Sequence, residues 1–403
     1  MSLSIKFRTF LLVILAFMSL VTVGQTTNKE VRYNPISTAV PFLTITPDSR
    51  HSAMGDVGAA TSPDANSQYM NPSKFAFATD KWGFALSYTP WLRQLVSDVN
   101  LAYLSGFYQL DPTQAIGTSL RYFSMGQITL TDVGGNNTGN VNPSEFAFDV
   151  SYSKRLSDYF SGGVALRFIR SDLAGGYATN AGAESYSAGN AFATDISFYY
   201  HNKLGGEGSR NSIAAGVNFS NIGSKISYNQ GSTKEFLPAN MKLGTTFTTM
   251  MNDSSSLSIS LDFNKLLVPT PSNVVTTAAD GTVIVTPDNN SNKSLISSIF
   301  GSFADAPGGM SEEFKEITVS LGAEYWYKRQ FAVRGGYFNE SQYKGNRKYA
   351  TVGVGVKLNI AAIDVSYVIP VERNNPLANT VRFSLLFNVD SFLKRKKLGP
   401  LSL

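Results

Sequence analysis

Between about residues 82 and 389 the sequence alternates apolar and polar residues in short segments, each closed by a turn. Ile317-Thr318-Val319-Ser320-Leu321-Gly322-Ala323-Glu324-Tyr325 and Leu257-Ser258-Ile259-Ser260-Leu261-Asp262-Phe263 are typical. Successive side chains of a strand point to opposite faces, so a period of two gives one apolar and one polar face. Carried through most of a chain, that pattern suits an all-β transmembrane antiparallel barrel, with lipid outside and a polar lumen inside. Fourteen strand candidates are centred near Phe84, Tyr103, Leu120, Phe148, Leu166, Phe198, Val217, Leu243, Leu261, Leu321, Val333, Val354, Val365 and Leu385. Each has roughly the 9–11 residues that cross a bilayer at a tilt, and an even count suits an outer-membrane barrel.

A membrane-spanning helix needs roughly 20 apolar residues. Among the 403 residues only Thr9 to Val23 approaches this, preceded by Lys6 and Arg8 and followed by Gly24. That arrangement reads as a secretory signal peptide over residues 1–24, leaving Gln25 as the new N-terminus. The 19 Tyr, 27 Phe and 34 Gly, with 43% hydrophobic residues, fit a wall whose apolar residues are diluted one-for-one by lumen residues. Cysteine is absent, so the fold needs no disulfide and no lipoprotein anchor is expected. Removing Lys6 and Arg8 takes the net charge from +5 to +3, an excess that argues neither for nor against nucleic acid, and no nucleic-acid partner is expected.

Residues 25–80 do not alternate. They contain Pro35, Pro41, Pro47, Pro63 and Pro72, which a central strand excludes. They also carry Met54, Val57, Tyr69, Met70, Phe75 and Phe77, enough to pack, so this part is expected to form a plug inside the barrel or at its periplasmic mouth. The barrel follows over 81–390, and a basic tail with Lys394-Arg395-Lys396-Lys397 ends the chain over 391–403. Connection lengths agree: residues 124–142, 171–189, 221–237, 267–313, 339–347 and 370–380 are long, and 111–114, 156–159, 252–255, 328–330 and 359–361 are short. Long external loops and short periplasmic turns alternate in this way, apart from a short first loop at 89–97 and a longer turn at 202–211.

The chemistry-bearing residues point away from catalysis. His51 and His201 are the only histidines and are expected in different regions, which leaves no shared metal site or histidine triad. No phosphate-binding glycine motif occurs, so neither cofactor nor metal is expected. On the polar face Asp149, Asp195, Asp262, Glu324 and Asp364 stand against Arg121, Arg167, Lys242, Lys357 and Arg382. A charge at the lipid midplane costs roughly 2–4 kcal/mol, so these should face inward and pair with one another or with the plug. In the longest loop a polar, mobile first half precedes Leu295, Ile296, Ile299, Phe300 and Phe303, which share one helix face. That face either docks a protein partner or folds over the rim. Trp91 suits the same rim or an interfacial aromatic belt.

The stretch Gly55-Asp56-Val57-Gly58-Ala59-Ala60-Thr61-Ser62-Pro63-Asp64-Ala65, followed by Tyr69-Met70-Asn71-Pro72, resembles the N-terminal hatch pattern of the FadL outer-membrane family. Gly55, Gly58, Asp64, Asn71 and Pro72 carry the match; Ser73 stands where that family commonly has Ala. Residues 41–50, from Pro41-Phe42-Leu43 to Asp48-Ser49-Arg50, and Trp91-Leu92-Arg93-Gln94-Leu95 are similar to the PorV branch, which serves the type IX secretion system of Bacteroidetes. The resemblance implies a fourteen-stranded barrel with a hatch and a non-enzymatic role. Its implied partners are the C-terminal signal domains of secreted cargo, the large translocon barrel, the surface attachment complex and outer-membrane lipids. Cargo contacts are expected at residues 295–303 and in the loops around Asn136 and Tyr177. The alternative is a FadL-type transporter of long-chain fatty acids or other hydrophobic molecules, with an apolar cavity and a sideways exit. A lipopolysaccharide-modifying enzyme would have to use His51 or His201.

Overall fold

The alternating segments become β1 (Trp82–Pro90), β2 (Asn100–Asp111), β3 (Gln114–Ser124), β4 (Ser144–Arg155), β5 (Phe160–Asp172), β6 (Gly189–Lys203) and β7 (Asn211–Gly223). They continue as β8 (Asn240–Met250), β9 (Ser256–Leu266), β10 (Thr318–Tyr327), β11 (Phe331–Asn339), β12 (Lys348–Lys357), β13 (Ala361–Pro370) and β14 (Val381–Phe387). The structure is a computed structural model that describes residues 33–387 except 94, 95, 97, 176–186, 207, 230–233, 278–282, 288–292, 359 and 372–379. The signal peptide, the basic tail and the loop around Tyr177 lie outside the described residues.

Each strand pairs antiparallel with its neighbours in sequence, and β14 pairs back to β1, closing a fourteen-stranded barrel. At that seam Phe84 faces Phe387 and Tyr88 faces Phe383. Every strand centre read from the sequence falls inside its own strand. Period two survives as burial: along β4, Glu145, Ala147, Asp149, Ser151 and Ser153 are buried, whereas Phe148, Val150 and Tyr152 are exposed. The exposed row, with Leu104, Leu120, Leu166, Leu321, Val354 and Phe383 on other strands, makes an apolar outer face. Among the described residues no helix is long and apolar enough to cross a membrane.

Turn chemistry closes the short end. Lys328 and Arg329 both take left-handed backbone, with φ of 52° and 54°, matching the twist of the flanking strands in the tight β10–β11 connection. At the long-loop end, two connections carry small two-stranded sheets. One pairs Ile128–Thr131 with Asn137–Val141, the other Asn273–Thr277 with Val283–Pro287. The second corrects the reading of the longest loop: its first half, expected to be polar and mobile, contains a hairpin. Beyond it lie the helices Leu295–Gly301 and Met310–Glu313.

The residues before β1 run along the inner side of the wall. Asn34 starts at the long-loop end, where its N–H donates to the Tyr343 carbonyl at 2.8 Å and its side chain to the Pro271 carbonyl at 2.9 Å. The path ends at the short-turn end, where the Lys81 carbonyl accepts from the Gln109 N–H at 2.9 Å. Phe42 and Leu43 pack with Leu101, Ile169 and Leu237, and Phe75 packs with Ala85, Phe107 and Ala115. Burying one such large side chain stabilises by about 1.5–3 kcal/mol.

Candidate functional site in the lumen and on the long-loop face

The sequence between Pro41 and Ala78 makes four short helical turns: Pro41–Thr44, Ser49–Ser52, Ser67–Met70 and Pro72–Phe77. Such turns leave many backbone groups unpaired, and side chains of the wall take them up. Gly58 and Ala59 donate their N–H groups to Asp262 Oδ2 at 2.7 and 2.9 Å. The N–H of Gly55, a residue at φ 68°, goes to Thr351 Oγ1 at 2.9 Å. Asn71 Nδ2 donates to the Ala59 carbonyl at 2.9 Å and the Phe198 carbonyl at 3.0 Å, and Pro72 starts the next turn without needing a donor. Ser73 uses the hydroxyl that an Ala would lack, donating to Asn71 Oδ1 at 2.5 Å. The wall also makes room: a Cβ added at Gly322 would stand 2.5 Å from the Met54 carbonyl oxygen.

Two ion networks complete the lumen. Arg167 of β5 binds Asp149 and reaches Asp195 at 2.9 Å, with Arg121 at 3.7 Å from Asp149. Arg50 joins the N-terminal segment to the wall through Glu324 at 2.8 Å and Asp64 at 2.9 Å, while Arg334 holds Glu324 at 2.7 Å and Asp364 at 2.6 Å. Burial works against ionising Asp64, yet Arg50 beside it holds its carboxyl below the ordinary value. Burial pulls the Lys74 ammonium down to about 8, opposed by Asp64. Arg382 binds Ser52 and Lys242 approaches the Asp56 carbonyl at 3.4 Å, whereas Lys357 is exposed at the short-turn end.

His51 has partners that the sequence did not reveal. Its Nδ1 meets Asp48 at 2.9 Å and its Nε2 meets Thr61 Oγ1 at 3.1 Å. A hydroxyl, an imidazole and a carboxylate in a row share the layout of a nucleophile relay, but His51 is entirely buried, and Thr61 Oγ1 already receives Lys74 Nζ at 3.0 Å. In this arrangement His51 ties Asp48 to Thr61 inside the N-terminal segment. His201 is in another place, stacked beside Tyr199. Among the described residues no group of three or more His, Asp or Glu is placed to hold a metal.

A cavity of about 410 Å³ lies at the long-loop end, between residues 35–46 and the inner faces of β7 to β12. Its lining mixes the amides of Asn218, Asn221, Asn240 and Asn264 with hydroxyls and with charges of both signs.

Above it the longest loop is held by buried charge. Lys265 binds Glu313 at 3.0 Å and Glu316 at 2.5 Å; Lys344 binds Glu312 at 2.6 Å and Glu316 at 2.9 Å. The helix Leu295–Gly301 starts with a Ser294 cap on the Ser297 N–H. Its packed stripe is Leu295, Ser298 and Ile299, continued by Ser302, with Ile299 against the Phe236, Leu267 and Val268 cluster. Ile296 and Phe300 project outward at 69% and 75% exposure, and Phe303 is also exposed. Met310 and Phe314, later in the same loop, are exposed as well. Sequence reasoning passed over these two, although their spacing of four marks one helix face. Trp91 is elsewhere on the rim, half-buried with the Arg382 guanidinium over its ring at 5.5 Å. Asn136 sits in the loop after β3, its side chain on Asp132 at 3.0 Å.

A model of the family described as type IX secretion system protein PorV matches residues 27–273. No curated protein matches the chain. Among solved structures, the toluene transporter TodX of Pseudomonas putida is similar at 12% identity and a TM-score of 0.49, over 88% of this chain and 98% of that one. The toluene transporter TbuX of Ralstonia pickettii is similar at 12% identity and a TM-score of 0.47, over 84% and 97%. A FadL homologue of Pseudomonas aeruginosa is similar at 11% identity and a TM-score of 0.46, over 88% and 99%.

Proposed function

Because this chain belongs to the PorV family of type IX secretion system proteins, an outer-membrane β-barrel family, we propose that it is a non-enzymatic carrier of secreted proteins. Its long-loop face holds the C-terminal signal domains of cargo, docks on the large translocon barrel and passes cargo to the surface attachment complex. Residues 41–78 serve as the plug that keeps the lumen closed meanwhile. The observation that carries this reading is the outward row Ile296, Phe300 and Phe303 on a loop anchored by buried ion pairs. Apolar side chains presented to water on a fixed base are the usual form of a protein-docking patch.

The transporter reading needs an apolar cavity and a break in the wall. The unbroken pairing from β1 round to β14 supports the carrier reading instead. The test is a pull-down with Ile296, Phe300 and Phe303 all replaced by Ser. Those side chains are exposed, so the barrel should still assemble while cargo recovery falls at least tenfold, as loss of about 1.4 kcal/mol or more implies. Unchanged recovery from an assembled barrel would remove this patch from the contact.

A further inference from the structure

The cavity beneath the long-loop face contains a cation that makes no direct ion pair among the described residues, although the Asp262 carboxylate acts on it from beyond that distance. Lys74, Lys265 and Lys344 each hold an oxygen partner within 3.0 Å. Lys242 has no carboxylate within ion-pair distance among the described residues. Its ammonium finds only the Asp56 carbonyl at 3.4 Å, the Met70 sulfur at 3.5 Å and the Tyr69 ring at 5.8 Å. Around it the need is reversed. Asp56, Asn218, Asn240 and Asp262, all in the lining, each keep one buried side-chain oxygen with no donor in reach. Buried polar groups are normally satisfied, so this combination describes what the cavity lacks: an anion for Lys242 and N–H groups for the oxygens.

The end of a polypeptide supplies both, a terminal carboxylate and a row of backbone N–H groups. An acyl chain supplies a carboxylate but no donors, and would strip water from the amides without replacing it. Capture of a terminal carboxylate is a recurring mode of peptide recognition, and about 410 Å³ lies within the range of small-ligand sites, too small for a domain. We infer that the cavity receives the last residues of a cargo chain, its terminal carboxylate on Lys242, while the apolar loop face holds the domain body. This assignment rests on the carrier reading and specifies which part of the cargo enters the barrel.

The experiment uses the full-length protein in detergent and a cargo protein that co-purifies with it. The signal domain of that cargo, and a synthetic peptide of its C-terminal residues, are each prepared as free acid and as C-terminal amide. The free-acid peptide should bind at least about tenfold more tightly than the amide, the worth of one charge-assisted contact. Lys242→Met should remove that preference while leaving amide binding unchanged. Equal binding of acid and amide by the unaltered protein overturns the proposal without any variant, and so does displacement of the peptide by palmitate with equal affinity for both forms. If the whole domain binds regardless of its terminus, the carrier reading stands and this inference falls. If no domain binds in either form, the carrier reading falls with it.

Discussion

Arg50 sits where the N-terminal segment and the wall meet, and its five hydrogen bonds run to Glu324, Asp64 and Ser62. Arg50→Ala would leave Asp64 buried without its cation and Glu324 with Arg334 alone. Breaking a buried pair from one side costs about 3–5 kcal/mol, so the urea midpoint in lipid vesicles should drop. Arg50→Lys should recover only part, since one ammonium cannot reproduce the fork. Lys74 makes a pH prediction. Its folded pKa of about 8 lies below the ordinary 10.5. Below pH 8 both states carry the proton and the folded chain bears the cost of burying it. Between pH 8 and 10.5 only the unfolded chain holds the proton, so on this account stability rises with pH. An unfolding series across that window should show the rise in the unaltered protein and its loss in Lys74→Met. Gly55, Gly58, Asp64, Asn71 and Pro72 were singled out by a family resemblance, and the structure gives their local contacts: Gly55 and Gly58 donate backbone N–H groups to the wall, and Asp64 pairs with Arg50. The Arg50–Glu324 bond spans 274 positions, and no local pattern carries such a pairing. The Asp48–His51–Thr61 trio was hidden for a different reason: the histidine count excluded a shared site of two histidines, and nothing in it tests one histidine against neighbours three and ten residues away.

Strands were the most legible elements, because one alternation, an apolar outer row against an inner row that is mostly polar or small, recurs along the wall, with inward Leu101, Phe107 and Ile169 packing on the N-terminal segment. That alternation has a measurable edge. Val354 points outward and is exposed, while its neighbour Gly353 faces the lumen. Val354→Arg should cost about 2–4 kcal/mol if it lies at the midplane, measured as a lower urea midpoint after refolding into vesicles. Helices were read less well. The apolar residues of 295–303 share a face by spacing, yet Leu295, Ser298, Ile299 and Ser302 are the side that packs. Small serines let the helix lie close to the rim, and this turns Ile296 and Phe300 away from it. Burial of a serine leaves no hydrophobic signature, so the sequence pattern could not reveal the rotation. The hairpin of residues 273–287 was missed likewise, its strands being only five residues each.

The whole molecule is a wall with its own N-terminal part inside, and the direction of that part was open in the sequence. The plug was expected inside the barrel or at its periplasmic mouth, which left open where its first residues lie. Asn34 lies among the long loops and only the approach to β1 reaches the opposite end. Proline content excluded strands from this region, but which mouth it enters depends on contacts such as Ala39 to Phe236 that no spacing encodes. If residues 41–78 are the seal proposed above, the intact protein in a planar bilayer should pass little current. Deleting them should open steady conductance, provided the shortened wall still inserts.

One bond at the seam has a bearing on how the molecule is made. Ser384 of the last strand accepts the N–H of Ser49 at 2.8 Å and shares a hydroxyl contact with Ser87 at 2.7 Å. The final staple therefore grips the first strand and the interior at once. Closing the cylinder and seating its filling thus draw on the same serine, and a change at Ser384 should loosen both together.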